Sequence, residues 1–201
     1  MLHFLKPKVK KLKLLNLNIQ FGFSNKYYIY NNIKNNNKII LSFYLLELFE
    51  KQKLKFTFSL SEKIIKKYIL FIQKYYYKRF NLSNIFELRL DNILFKLGYS
   101  NTILQARQWI IHGHFFINFK LIRNPGFLIK KGDIINISLR SYYIFNICKK
   151  NLYKKYIKNY NIYPHFIICN KTLLSIIYSI IDIYYNINEY NNILVVNFYS
   201  H

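Results

Sequence analysis

The stretch Ala106–Asn118 reads ARQWIIHGHFFIN, and how it is read decides the fold. A glycine stands between two histidines, and apolar residues then alternate. Three explanations compete. The histidines bind a metal, they are catalytic, or the glycine closes a helix and opens a strand. A metal pair needs further ligands, and no Cys, Asp or Glu stands close by. Helical spacing, in contrast, is plain: Ile103, Ala106 and Ile110 share one face up to about Ile111, with Asn101 as the capping residue. Gly113 then falls on the position after a helix where positive φ is easy. From His114 to Asn118 the period becomes two, with Phe115 and Ile117 on one side and His114, Phe116 and Asn118 on the other. The glycine predicts a helix-to-strand junction.

The neighbouring sequence extends this pattern. A helix is expected from about Glu87 to Leu97, burying Leu90, Ile93, Leu94 and Leu97 and carrying Arg89, Asn92 and Lys96 on a polar face. Gly98 closes it, and Ala106 lets the two helices approach closely, while Arg107 and Gln108 point elsewhere. After Asn118 a turn leads to Leu121 and Ile122. Pro125-Gly126 marks a second turn, and Lys131-Gly132-Asp133 precedes a strand at Ile134–Ile137. Residues 87–137 therefore read helix, helix, strand, turn, strand, which is an α+β pattern.

Charge narrows the function. The 201 residues carry 31 Lys and Arg against 8 Asp and Glu, a formal net charge of +23, and no acid occurs before Glu47. Such self-repulsion weakens a compact state and points to a polyanionic partner: RNA, DNA or anionic lipid. Eight acids leave little for carboxylate catalysis. Glu47 and Glu50 are the only close pair, and Lys51 and Lys53 follow them, which reads as a charge-paired surface. Two cysteines, Cys148 and Cys169, make neither a disulfide framework nor a zinc signature. They fit a reducing compartment, with a single disulfide left open. A spanning helix needs roughly 20 apolar residues. The longest run, Leu173–Ile187, is interrupted by Asp182. The opening residues show no secretory pattern. The dominance of Ile, Asn, Lys, Tyr and Phe, with one alanine, reads as A/T-rich codon usage and suggests a small genome such as an organelle's.

Residues 1–40 read as a basic arm, with KPKVKKLKLL followed by the polar tract Asn31–Lys38. Residues 41–86 read as a helical domain. Leu45, Leu48 and Phe49 are spaced for one helix. Ser61 and Glu62 open a second, whose expected buried stripe is Ile64, Tyr68, Ile72 and Tyr75. Lys63, Lys67, Lys74 and Lys78 recur on another face of it. Within 139–185 a basic connection, KKNLYKKYIK, is expected before a strand near His165–Cys169 and a short Ile-, Leu- and Tyr-rich element. Residues 186–201 fit a short helix or a strand and are expected to complete the helical domain.

The ordered set Arg89-Leu90-Asp91-Asn92, Ala106-Arg107-Gln108, His112-Gly113-His114 and Gly132-Asp133 resembles the RNA-binding domain of the small-subunit ribosomal protein four family, plastid-like branch. The likeness continues through LLELFEKQKLKFTFSLSEKIIKKYI and the C-terminal INEYNNILVVNFYSH, and is weakest over 140–163. It implies an α+β fold: a helical domain plus an RNA-binding domain (87–185) of two short helices packed on an antiparallel sheet, with a basic N-terminal arm. It also implies a structural, non-enzymatic constituent of the small subunit that binds its rRNA early in assembly and neighbours small-subunit protein number five. The setting implied is a plastid or relict plastid (apicoplast) rather than a mitochondrion. No metal, cofactor, membrane or small-molecule substrate is expected, and the cysteines that bind zinc in some bacterial members are missing from residues 1–40. One departure stands out. The family has Asn-Gly in the hairpin turn, whereas this chain has Asn118-Phe119, which predicts a different turn or a strained one.

Folded RNA is held through phosphates, 2′-hydroxyls and shape, so many cations on rigid elements are needed rather than one cluster. The candidates are Lys6, Lys8, Lys10, Lys11 and Lys13 in the arm, and Lys51, Lys53, Lys55, Lys63 and Lys67 in the helical domain. In the block they are Arg89, Lys96, Arg107, Gln108, His112, His114, Lys120, Arg123, Lys130 and Lys131. Two other classes remain: a pseudouridine synthase-like enzyme, since Arg89-Leu90-Asp91 matches the letters around that nucleophile, and a basic membrane-surface protein.

Overall fold

The computed structural model describes residues 42–75, 82–138, 141–157, 166–169, 174–177 and 191–200. The arm, Lys78 and the linking segments lie outside these. The chain divides into two compact units, Met1–Ser83 with Asn186–His201 and Asn84–Tyr185.

In the first unit the described elements are α1 (Phe43–Thr57), α2 (Glu62–Tyr75) and the C-terminal helix, numbered α7 below (Asn192–Ser200). The ending left open between helix and strand is thus helical. Asn191 caps it, accepting from the Leu194 N–H at 3.4 Å, and Val195 is fully buried. The expected apolar residues of α1 do not form its core: Leu45 is 39% exposed, and Leu48 and Phe49 are only half-buried. The core instead gathers Leu54, Phe56, Phe58, Leu60, Ile65 and Ile69. Ile64, Tyr68 and Ile72 are half-buried, so the buried stripe of α2 is turned one position from the expected one. Phe58 and Leu60, in the connection between the helices, are themselves buried and belong to this core, which helical periodicity does not encode.

The second unit contains α3 (Leu82–Glu87, which starts just before it), α4 (Leu90–Leu97), α5 (Ile103–Ile111), β1 (Phe115–Ile117), β2 (Lys120–Leu121), β3 (Ile134–Ile137), α6 (Tyr142–Ile157), β4 (Phe166–Cys169) and β5 (Leu174–Ile177). The strands form one sheet in the order β2-β1-β3-β5-β4, with every neighbouring pair antiparallel. Phe115 pairs with Ile137 and Ile117 with Ile135. Phe115 and Ile117 point inward, as the alternation predicts. They meet Leu90, Ile93, Leu94, Leu97, Ala106 and Ile110 from the two helices in one core. Each buried Leu, Ile or Phe among them contributes about 1.5–3 kcal/mol. Tyr99 stacks on Phe115 with ring centroids 6.5 Å apart.

Three expectations are corrected here. The helix expected from Glu87 begins at Leu90. Arg89 is extended (φ −67°, ψ 139°) and bridges Leu128 in antiparallel fashion, because Leu88 O and the Leu90 N–H are taken by Ile129 and Phe127. The cap of α5 is Thr102, not Asn101. Its hydroxyl accepts from the Gln105 N–H at 3.2 Å, and Gln105 reaches back to the Asn101 N–H at 2.9 Å, close to a capping box. The basic connection is largely helix α6. Ile144, Cys148 and Leu152 recur every fourth residue on its buried side, and Asn151 donates to Tyr99 O at 2.9 Å. Lysines on the other faces had masked that stripe.

Neither Cys148, which is buried, nor Cys169, which is exposed, is in a disulfide. Burial pushes the Cys148 thiol up to about 12. Among the described residues no helix is long and apolar enough to cross a membrane.

Candidate nucleic-acid interface

The second unit is organised around Asp91. Its carboxylate is 1% exposed. Oδ1 accepts from Arg89 Nε at 3.1 Å and from the Asn92 N–H at 2.9 Å. Oδ2 accepts from Arg89 Nη2 at 2.9 Å, and from Arg107 Nε and Nη2 at 3.0 and 2.7 Å. The Asp91 N–H donates to Pro125 O at 3.3 Å. One acid thus joins the start of α4, the middle of α5 and the Pro125 turn. Arg89, expected on the polar face of a helix, precedes α4 instead and is 4% exposed. Arg107 spends its guanidinium fork on Asp91 and is half-buried. The Asp91 of the Arg89-Leu90-Asp91 run is thus enclosed and paired with two arginines.

The end of α5 carries the next part. Gly113 lies at φ +75°. Its N–H donates to Ile110 O, and that of His114 to Trp109 O, at 2.9 and 3.2 Å, the Schellman pattern. The reversal sets His112 and His114 side by side, with ring centroids 6.1 Å apart. His112 is exposed and His114 half-buried. His114 Nδ1 shares a hydrogen bond with Ser141 Oγ at 2.6 Å. Burial lowers the His114 pKa below its usual value, and the neighbouring His112 lowers it further. Arg123, exposed, crosses this corner; its Nε is 3.4 Å from where a Gly113 Cβ would stand. Among the described residues no group of three or more His, Cys, Asp or Glu is placed to hold a metal ion.

At the other end of β1 the chain turns through Asn118 and Phe119, both at positive φ, 48° and 64°. Ile117 pairs with Lys120 across it, so this is the two-residue turn that glycine favours, kept with a phenylalanine in the second place. The strained alternative is the one realised. Asn118 holds it: Nδ2 donates to Asp133 Oδ1 at 2.8 Å, and Oδ1 accepts from the Ile134 N–H at 2.9 Å. The other Asp133 oxygen takes the Lys130 N–H at 2.8 Å. The turn and the Lys130–Asp133 loop are thereby fastened together, with Lys120, Lys130 and Lys131 all exposed.

The remaining expected residues divide clearly. Gln108 is exposed on α5. Lys96 pairs with Glu87. In the first unit Lys53 pairs with Glu50, and Lys55 lies 2.8 Å from Glu62. Lys51 lies 3.5 Å from Glu62 and 4.1 Å from the centre of the Phe198 ring. These cations face carboxylates instead of standing clear in solvent, whereas Lys63 and Lys67 are exposed on α2. Lys6, Lys8, Lys10, Lys11 and Lys13 lie outside the described residues. Sequence reasoning missed Ser141, 27 residues from His114, and the outer side of α6, where Tyr142, Tyr143 and Tyr153 are 70–77% exposed beside exposed Lys149 and Lys150. It also missed Asp91 as a hub, although a signal existed: Asp91 is the only acid between Glu87 and Asp133.

Every described carboxylate is engaged or enclosed. Glu50, Glu62, Glu87, Asp91 and Asp133 have the partners given above, and Glu47 is 2% exposed. What the second unit turns outward around the His112–His114 corner and the hairpin is therefore cationic.

Comparison with known proteins agrees with this geometry. Residues 88–135 match the S4 domain. The whole chain is 70% identical to the small ribosomal subunit protein uS4c of Eimeria tenella, over the full length of both. It is 40% identical to that of Toxoplasma gondii over 79% of this chain and 78% of the relative. It is 37% identical to that of Gracilaria tenuistipitata var. liui over 78% of this chain and 77% of the relative.

Proposed function

The chain belongs to the uS4 family of small ribosomal subunit proteins, and from that premise we propose that it is a structural constituent of a plastid-type small ribosomal subunit, binding small-subunit rRNA directly. The observation that carries the reading is the distribution of charge. With the described acids consumed internally, Lys120, Arg123, Lys130, Lys131 and His112 stand outward on a hairpin and a helix end held rigid by the Asp91 hub and the Asn118 clamp. Rigid cations suit phosphates, to which arginine binds as a fork and lysine as a point charge. The 2′-hydroxyls and the shape of the RNA supply the rest of the recognition.

Early binding during assembly, contact with small-subunit protein number five, and residence in a relict plastid (apicoplast) are parts of the same proposal. The names of the Eimeria and Toxoplasma relatives support the plastid-type setting. The role is architectural, with no reaction assigned. Sedimentation of organelle extract tests it: the chain should travel with small subunits and leave them only at high salt, since counterion release makes affinity fall steeply with salt. Sedimentation apart from subunits at physiological salt would overturn it.

A further inference from the structure

Phe119 is the most exposed large apolar residue of the hairpin, at 77%, and it occupies a left-handed backbone position, φ 64°, where a phenylalanine costs stability and a glycine would not. The ring does not recover that cost by burial, since it is 77% exposed and is not part of the core cluster among the described residues. Its surroundings are cationic. Lys120 is adjacent, and Lys130 and Lys131 stand on the loop that Asn118 ties to the turn. The one acid there, Asp133, has both oxygens occupied by Asn118 and the Lys130 N–H. An aromatic tip on a hairpin that carries exposed lysines, with the local acid held in hydrogen bonds, is complementary to a polyanion that presents flat apolar faces.

Resting on the rRNA-binding reading above, we propose that Phe119 stacks on an unpaired base of the RNA while Lys120, Lys130 and Lys131 bind the phosphates that flank it. A paired base is unsuitable, since in A-form helices the deep groove keeps side chains out and base faces are covered by stacking. A base in a loop or bulge offers an open face to which any aromatic can stack. The strained turn is kept because it carries the ring at the hairpin tip.

The test uses the purified full chain and small-subunit rRNA transcribed from its own genome, with affinity measured across a salt series and stability by urea. Phe119→Gly should weaken binding roughly tenfold, leave the salt slope unchanged because stacking releases no counterions, and raise the urea midpoint by relieving the turn. Phe119→Trp should bind within about twofold of the parent, as stacking predicts. Chemical probing should show one unpaired base exposed by the glycine variant and protected again by tryptophan. If Phe119→Gly binds like the parent while Lys120→Glu binds weakly, the hairpin meets RNA by charge alone and the stacking proposal fails. If in assembled subunits residue 119 crosslinks only to protein, it fails likewise. If the parent chain itself does not bind this rRNA, the proposed function falls, and the stacking role with it.

Discussion

Arg107 reaches sixteen residues back to Asp91, placing Nε and Nη2 at 3.0 and 2.7 Å from one carboxylate oxygen. That contact converts an arginine expected on an RNA-facing surface into a tie between α4 and α5. Charge reversal at Arg107 would set a second carboxylate beside an enclosed one. Arg107→Glu should lower unfolding free energy by roughly 3 kcal/mol, read as a fall in urea midpoint. Arg107→Lys, which keeps charge but loses the fork, should fall between. An Arg107→Glu protein as stable as the parent would remove the hub from the argument.

Lys120 is the contrasting position. It is exposed next to the turn, and Lys120→Glu should shift stability by no more than about 0.5 kcal/mol. Binding to small-subunit rRNA should weaken across all sequences tested, with the slope of log affinity against log salt reduced by about one. Filter binding at several salt concentrations reads both quantities.

Gly113 is needed for the reversal that pairs the two histidines. An alanine would be held at φ +75°, at a cost of roughly 1–2 kcal/mol, while its Cβ would only touch Arg123 Nε and Leu121 Cδ1, each 3.4 Å away. Gly113→Ala should therefore lower the thermal midpoint. An unchanged midpoint would show that the junction tolerates another cap.

His114 gives a pH dependence. Burial and the nearby His112 favour its neutral form in the folded chain, so its folded pKa lies below the ordinary 6.5. A folded state that resists protonation has its full stability above the unfolded pKa and loses it as pH falls. Urea midpoints should thus decline on going from pH 7.5 to below 6.5, and His114→Gln should flatten that decline. Equal slopes in the two proteins would assign the dependence elsewhere.

Local signals carried strands β1 and β3 and both glycine-capped helix ends into plain view. Gly98 and Gly113 stop helices for reasons internal to a few residues, and the alternation after Gly113 places Phe115 and Ile117 inward whatever else the chain does. Helix α6 was not legible, because its buried residues Ile144, Cys148 and Leu152 sit among lysines and tyrosines. Nor was the burial of Ile65 and Ile69 on α2, which share a core with Phe58 and Leu60 from outside any helix.

By itself the sequence determined the fold class, the excess of positive charge and the order of motifs, since these depend on residue type and short-range spacing. Only the tertiary structure decided which cations face outward. Arg89, Lys96 and Arg107 look equivalent to Lys120 and Arg123 along the chain, yet the first three are claimed by carboxylates. An ion pair forms wherever folding brings two charges together, and for Arg107 and Asp91 that meeting depends on how two helices pack rather than on anything either residue's neighbours specify.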